Sequence, residues 1–290
     1  MRIPDSELMI NSDGSIFHLH IRPDQLADKL IVVGDPGRVD MFKPLLDSIE
    51  CHGQSREFAF VTGKYKGERI TVLSHGIGPD NIDIVMTELD AIANIDFETK
   101  EVKSEHKTLT IVRLGTCGAV QPDIPIGSFI LSHYSVGFDG VMNWYEHRER
   151  VTDAEMEKSF LEHMNWLPTL PTPYFVKASE KLINHFSEGT VKGMTISAGG
   201  FYGPQGRVVR QGLAMPNMLN DIESWRHGEW RITNFEMESS VLAGMARQLG
   251  HEAITICCAI ANRHLHDAYT DYKPRVNELV KFVLDKMASL

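Results

Sequence analysis

Short apolar runs alternate with amphipathic helical spacings along most of this chain, and no other feature restricts its fold as tightly. Residues 30–33, 70–73, 109–114, 128–132, 194–197 and 254–260 read as strands. Between them Ile82, Val85, Met86 and Leu89 recur at i, i+3, i+4, i+7, with Asp80 or Asn81 placed as a cap. Val276, Leu279, Val280 and Val283 repeat that spacing near the C-terminus, and residues 154–164 form a further helical pattern. Nearly continuous apolar strands need cover on both faces. The expected fold class is therefore α/β, three layers (α/β/α) around a central, mostly mixed sheet. No repeat or linker divides the 290 residues, so a single domain over 1–290 is expected. Residues 99–107 read as a charged surface loop or helix extension. Residues 213–230 lack a clean period and read as a lid or a helical excursion.

A formal net charge of −10 argues against a broad nucleic-acid or anionic-membrane surface. It leaves room for an anionic small molecule held by a few local arginines. No apolar run approaches transmembrane length and no signal-like segment opens the chain, so a cytoplasmic location is expected. Cys51, Cys117, Cys257 and Cys258 form no CxxC pair. They read as reduced, partly buried thiols rather than a disulfide framework or zinc site.

Four segments bear chemistry. Phe235-Glu236-Met237-Glu238-Ser239 sets two carboxylates before Val241, Leu242, Met245 and Leu249, at the entrance of a helix. The plainer reading is that acids there answer the helix macrodipole. Gly34-Asp35-Pro36-Gly37-Arg38 follows a strand, with glycines that let amides approach an anion and a guanidinium fork that fits phosphate. By itself it is more often an ordinary strand-to-helix turn. Arg113-Leu114-Gly115-Thr116-Cys117-Gly118 puts a charge at an apolar strand end, where it needs an anionic partner, a structural carboxylate or a ligand. Phe201-Tyr202-Gly203-Pro204-Gln205-Gly206-Arg207 joins an aromatic wall to a Gln and an Arg on a turn-forming backbone. Such a set can stack on a flat heterocycle and bond its polar edge; alone it reads as a turn with a solvated Arg.

Together, in this order, these motifs resemble the nucleoside phosphorylase-I superfamily, most closely its uridine-cleaving branch, from Ile16-Phe17-His18-Leu19 to Asn262-Arg263. The resemblance implies phosphate contacts from Gly34, Arg38, Arg113 and Thr116, with Arg56 lent to a neighbouring subunit's phosphate site. It implies a ribose site of Met237 and Glu238, lined by Glu236, with His18 reaching across the interface toward the 5′-hydroxyl. Phe201, Gln205 and Arg207 match the base site, and Arg38, Arg113 and Arg207 would carry the catalysis. Purine-specific relatives place an aspartate after the late strand, where this chain has Ile260-Ala261-Asn262-Arg263. Nucleosidases of the fold lack the arginine set. The implied reaction is thus phosphorolysis of uridine to uracil and ribose 1-phosphate by a pentosyltransferase. Inorganic phosphate is a co-substrate, and no cofactor is needed. A purine phosphorylase or nucleosidase of the same fold is the alternative. The 99–107 insertion favours a homodimer over the bacterial hexamer, and Asn81 replaces a Ser where some relatives bind a monovalent cation, so no such ion is expected.

His18-Leu19-His20 and His264-Leu265-His266-Asp267 raise a competing metal-hydrolase reading, because alternate histidines share a strand face. No ordered set of further ligands accompanies them. A non-catalytic nucleoside-binding protein is a third class, which a phosphate cradle argues against.

Overall fold

The structure, a computed structural model, describes residues 2–269 and 271–290. Its strands are β1 (Lys29–Val33), β2 (Ser48–Ser55), β3 (Phe58–Tyr65), β4 (Glu68–Ser74), β5 (Ile95–Asp96), β6 (Glu101–Val102), β7 (Thr110–Ala119), β8 (Phe129–Gly137), β9 (Tyr174–Lys177), β10 (Val191–Ser197), β11 (Asn234–Glu236), β12 (Glu252–Asn262) and β13 (Asp267–Ala268). The helices are α1 (Pro36–Phe42), α2 (Pro79–Asn94), α3 (Ala154–Met164), α4 (Glu180–Phe186), α5 (Met218–Ser224), α6 (Ser239–Leu249) and α7 (Lys273–Ala288).

The sheet is mixed. β1 pairs in parallel with β4 and β7, and β12 runs parallel to β7 but antiparallel to β8. Successive pairings β7–β12–β8–β10–β11–β7 close a circuit, so the centre of the sheet coils back on itself. Apolar strand residues meet helices on both sides. Val85, Met86 and Leu89 of α2 pack with Val241, Leu242 and Met245 of α6 on one face. Val39 and Phe42 of α1, Leu182 and Phe186 of α4, and the Val276–Val283 stripe of α7 cover the other. This is the α/β architecture expected from the alternating pattern. No described helix is long and apolar enough to cross a membrane.

Several local expectations change. β7 does not end at Leu114; it runs through Gly115-Thr116-Cys117-Gly118 to Ala119, so the second arginine segment is strand rather than turn. Its glycines serve packing: a Cβ on Gly115 would lie 2.9 Å from both Arg113 Nη1 and Cys257 Sγ. The hairpin β2–β3 is not among the expected strands. β2 is a mostly exposed edge without apolar alternation, and Gly63 interrupts β3 because a Cβ there would meet the Ser48 carbonyl at 2.2 Å. Residues 99–107 are a mostly exposed loop with no helix, in which β6 forms a short hairpin with the preceding β5. Residues 213–230 are a helical excursion anchored by buried Met218, Ile222 and Trp225, which opposes a freely moving lid.

Register positions the site. Val33 pairs with Ser74 and with Leu114, so the chain leaves β1 and β4 beside the still-continuing β7. Phe235 of β11 and Ala261 of β12 both face Gly118. Segments far apart in sequence therefore converge at one edge, where open α/β sheets gather ligands.

Candidate active site

A cavity of about 1210 Å³ opens at this edge, lined by Gly34, Arg38, Arg113 and Thr116, by Phe201, Gln205 and Arg207, and by Glu236, Met237 and Glu238. Arg38 enters from the first turn of α1, a helix opened by Pro36 and capped by Asp35, whose carboxylate accepts from the Gly37 amide at 2.9 Å. Among the described residues Arg38 forms no ion pair, and it is half-buried.

Arg113 is more constrained. It is 4% exposed, and its Nη1 lies 2.7 Å from Glu236 while Nη2 contacts Glu238. Nη1 also donates to Cys257 Sγ at 3.7 Å, and Nε donates to His75 Nε2 at 3.1 Å. Burial opposes the Arg113 charge, but Glu238 and Glu236 outweigh it and hold the guanidinium above its ordinary range. Burial raises Glu238; Arg113 pulls it down and Glu236 adds repulsion. The buried charge of Arg113 is thus met by structural carboxylates, one of the two partners its position demanded.

The two carboxylates divide their work. Glu236 accepts from the Glu238 amide (2.9 Å), the Ser239 amide (3.0 and 3.1 Å) and the Ser239 hydroxyl (2.6 Å). It is the helix-terminus acid of the plainer reading, with its oxygens turned toward α6 and Arg113 instead of free along the cavity wall. Glu238 is held by the Gly78 amide at 2.7 Å and by Arg113, and it serves α6 with no side-chain cap.

The loop that carries Gln205 and Arg207 is built differently. Phe201 is 48% exposed, and the Arg207 guanidinium stacks 3.7 Å from its ring centre. Arg207 Nη1 donates to the Phe201 carbonyl (2.6 Å) and to Gln205 Oε1 (2.5 Å), so the two polar residues bond each other. Gly206 between them has φ of +69°, and a Cβ there would meet Leu219 at 2.8 Å, so glycine is required. Burial, then repulsion from Arg263, pushes Arg207 down to about 10, still cationic at neutral pH. Arg263 donates to the Gln205 carbonyl at 2.9 Å and also meets the Gly206 carbonyl at 3.4 Å, tying the end of β12 to the loop.

The cavity of one chain does not include His18 or Arg56. Arg56 is exposed at the β2–β3 turn with φ of +52°. His18 is anchored by Glu88, whose carboxylate lies 2.6 Å from its Nδ1 and accepts from the His18 and Leu19 amides. His264 pairs with Glu223, and among the described residues neither histidine pair belongs to a cluster of three groups that could hold a metal ion. Among the described residues Asp90, His106 and His251 come close together elsewhere. There His251 Nδ1 accepts the Leu109 amide, so its Nε2 bears the proton and faces Asp90 at 3.2 Å.

Sequence reasoning missed His75 and the loop-holding part of Arg263. His75 stands in Ser74-His75-Gly76-Ile77-Gly78, a glycine-rich turn directly after an apolar strand. That is the signal that singled out Gly34 to Arg38, here overlooked.

A family model described as the phosphorylase superfamily matches residues 28–289. The chain is 30% identical over 251 residues to a uridine phosphorylase of Thermococcus kodakarensis, covering 87% of this chain and 79% of that protein. It is 24% identical over 246 residues to a DeoD-type purine nucleoside phosphorylase of Oceanobacillus iheyensis, covering 82% and 84%. A solved Trypanosoma brucei nucleoside phosphorylase that shows uridine phosphorylase activity superposes with a TM-score of 0.89 at 29% identity, covering 98% of this chain and 100% of that one.

Proposed function

The chain belongs to the phosphorylase superfamily, and we propose that its site moves a pentosyl group from uridine to phosphate. The carrying observation is one cavity that joins an unspent arginine (Arg38), a buried Arg113–Glu238 pair and a Gln205–Arg207 base-facing pair. Arg38, the Thr116 hydroxyl and the Gly34 backbone take phosphate, with Arg113 behind them. A guanidinium has five N–H groups; the contacts to His75, Glu236, Cys257 and Glu238 engage four, leaving one on Nη2 for the anion. Glu238 accepts the ribose hydroxyls beside Met237.

A phosphate oxygen then bonds to the anomeric carbon as the glycosidic C–N bond breaks, its electron pair leaving with the base. Alignment of two bound reactants is worth up to about 7–11 kcal/mol. Arg207 and Gln205 meet the charge that grows on the departing pyrimidine. β12 itself ends in Asn262, followed by Arg263, and carries no acid there, which supports a pyrimidine over a purine; the Asp267 that also lines the cavity belongs to β13. Arg56 and His18, outside their own cavity, complete the cavity of a second copy in a homodimer. Phosphate is the co-substrate, no organic cofactor takes part, and the enzyme works in the cytoplasm.

A panel of uridine, thymidine and inosine, assayed with and without inorganic phosphate, tests this. Uridine is expected to be cleaved only when phosphate is present. Base release without phosphate overturns phosphorolysis, and preferential cleavage of inosine overturns the pyrimidine assignment.

A further inference from the structure

His75 follows β4 and has no exposed surface; its amide donates to the Val33 carbonyl at 2.8 Å, extending the β1–β4 ladder. Its backbone is therefore fixed by the sheet. Its ring Nε2 lies 3.1 Å from Arg113 Nε, and a guanidinium can only donate. Nε2 must then present its lone pair, which places the ring proton of neutral His75 on Nδ1. That atom is buried without a hydrogen-bond partner. A histidine kept only for packing has no need of this orphan, because a buried unmade hydrogen bond is a cost. The contact that compensates is the one to Arg113.

That contact decides what the guanidinium can do. Glu236 and Glu238 hold the two Nη atoms and His75 holds Nε, so the fork is fixed at three points and cannot rotate about its long axis. Without His75 the Nε–H is free to turn, and the single uncommitted Nη2 hydrogen turns with it inside the cavity that Arg38 and Thr116 also line. Burial, together with the neighbouring Arg113 charge, holds His75 well below its ordinary value, so the acceptor state persists across the neutral range.

We propose that His75 is a positioning residue for the phosphate half of the reaction: through Nε2 it aims Arg113 at the anion without touching substrate. This rests on the phosphorolysis reading for its catalytic meaning, but its geometry can be tested on phosphate binding alone.

Calorimetric titration of inorganic phosphate into the wild-type protein, His75→Gln and His75→Asn separates the cases. Glutamine carries an acceptor at about the reach of Nε2, whereas asparagine reaches only to about Nδ1. The expected result is phosphate affinity within about threefold of wild type for His75→Gln and at least about tenfold weaker for His75→Asn, in line with loss of a hydrogen bond to a charged group. Turnover should follow, with the phosphate KM rising in His75→Asn while the nucleoside KM stays level. Equal phosphate affinity in all three proteins overturns the proposal, as does an equal loss in both variants, which marks a packing role. If the ranking holds but uridine is not cleaved, the substrate assignment fails and the positioning role stands. If wild type binds no phosphate, both fail.

Discussion

The two halves of the cavity are built on opposite principles. The half assigned to phosphate and ribose stands on strands and on the entrance of α6. Arg113, Glu236, Glu238 and His75 are all buried there, and each fixes another. The half assigned to the base is a loop: Phe201 is exposed, Arg207 leans on it, and Arg263 holds only backbone carbonyls. The difference matches what each half would read. Phosphate and a pentose are common to the phosphorolysis of every nucleoside, so their contacts can be locked into the sheet. The base varies, and a loop can be reshaped without disturbing the core. Relatives named for uridine and for purine nucleosides share this chain's family.

The sharpest way to break the comparison is Arg113→Ala. It leaves Glu236 and Glu238 as buried, unpaired carboxylates, a loss of about 3–5 kcal/mol in folding stability. Phosphate-dependent turnover should fall on the order of a thousandfold, while uracil binding changes far less. Chemical denaturation with steady-state kinetics checks both, and near-normal turnover refutes the assignment. Arg207→Ala should show the opposite profile. Uridine turnover is expected to drop about a hundredfold with an unfolding midpoint close to wild type, because the side chain is only half-buried. A large stability loss would mean that the two halves are not distinct.

The smallest effect is a pH dependence confined to the sheet-borne half. His75 is held below its ordinary value of 6.5, so the unfolded chain binds its proton first as pH falls. Its contribution to stability is full above about pH 6.5 and is lost as pH drops toward the depressed folded value. Melting temperatures of wild type and His75→Gln between about pH 7.5 and 5 should therefore converge on acidification. Curves that stay parallel would count against a neutral His75 in the folded protein.

Much of this was legible in sequence. The apolar runs locate β1, β4, β7, β8, β10 and β12, and the helical spacings locate α2, α3, α6 and α7, because burial on a regular element leaves a period. The edge strand β2 leaves none, and Gly63 in β3 resembles a turn signal while serving a close backbone approach. At the site, Arg38, Arg113, Thr116, Gln205, Arg207 and Glu238 line one cavity. The glycine-rich turn that holds His75 was legible, but nothing local marks a histidine as an arginine's acceptor; that requires β4 and β7 to lie two strands apart around β1.

The sequence by itself determined the α/β class, the strand-then-turn position of Arg38 and the pairing of acids with a helix entrance, since each rests on residues near one another in the chain. Tertiary structure alone decided how those charges are spent. It gave Glu236 to the helix and Arg113, set Glu238 beside the Gly78 amide 160 residues away, and brought His75 Nε2 against Arg113 Nε. The physical reason is that a buried charge is settled by whichever partner the fold brings within hydrogen-bond reach, and sheet register, not local pattern, sets that distance.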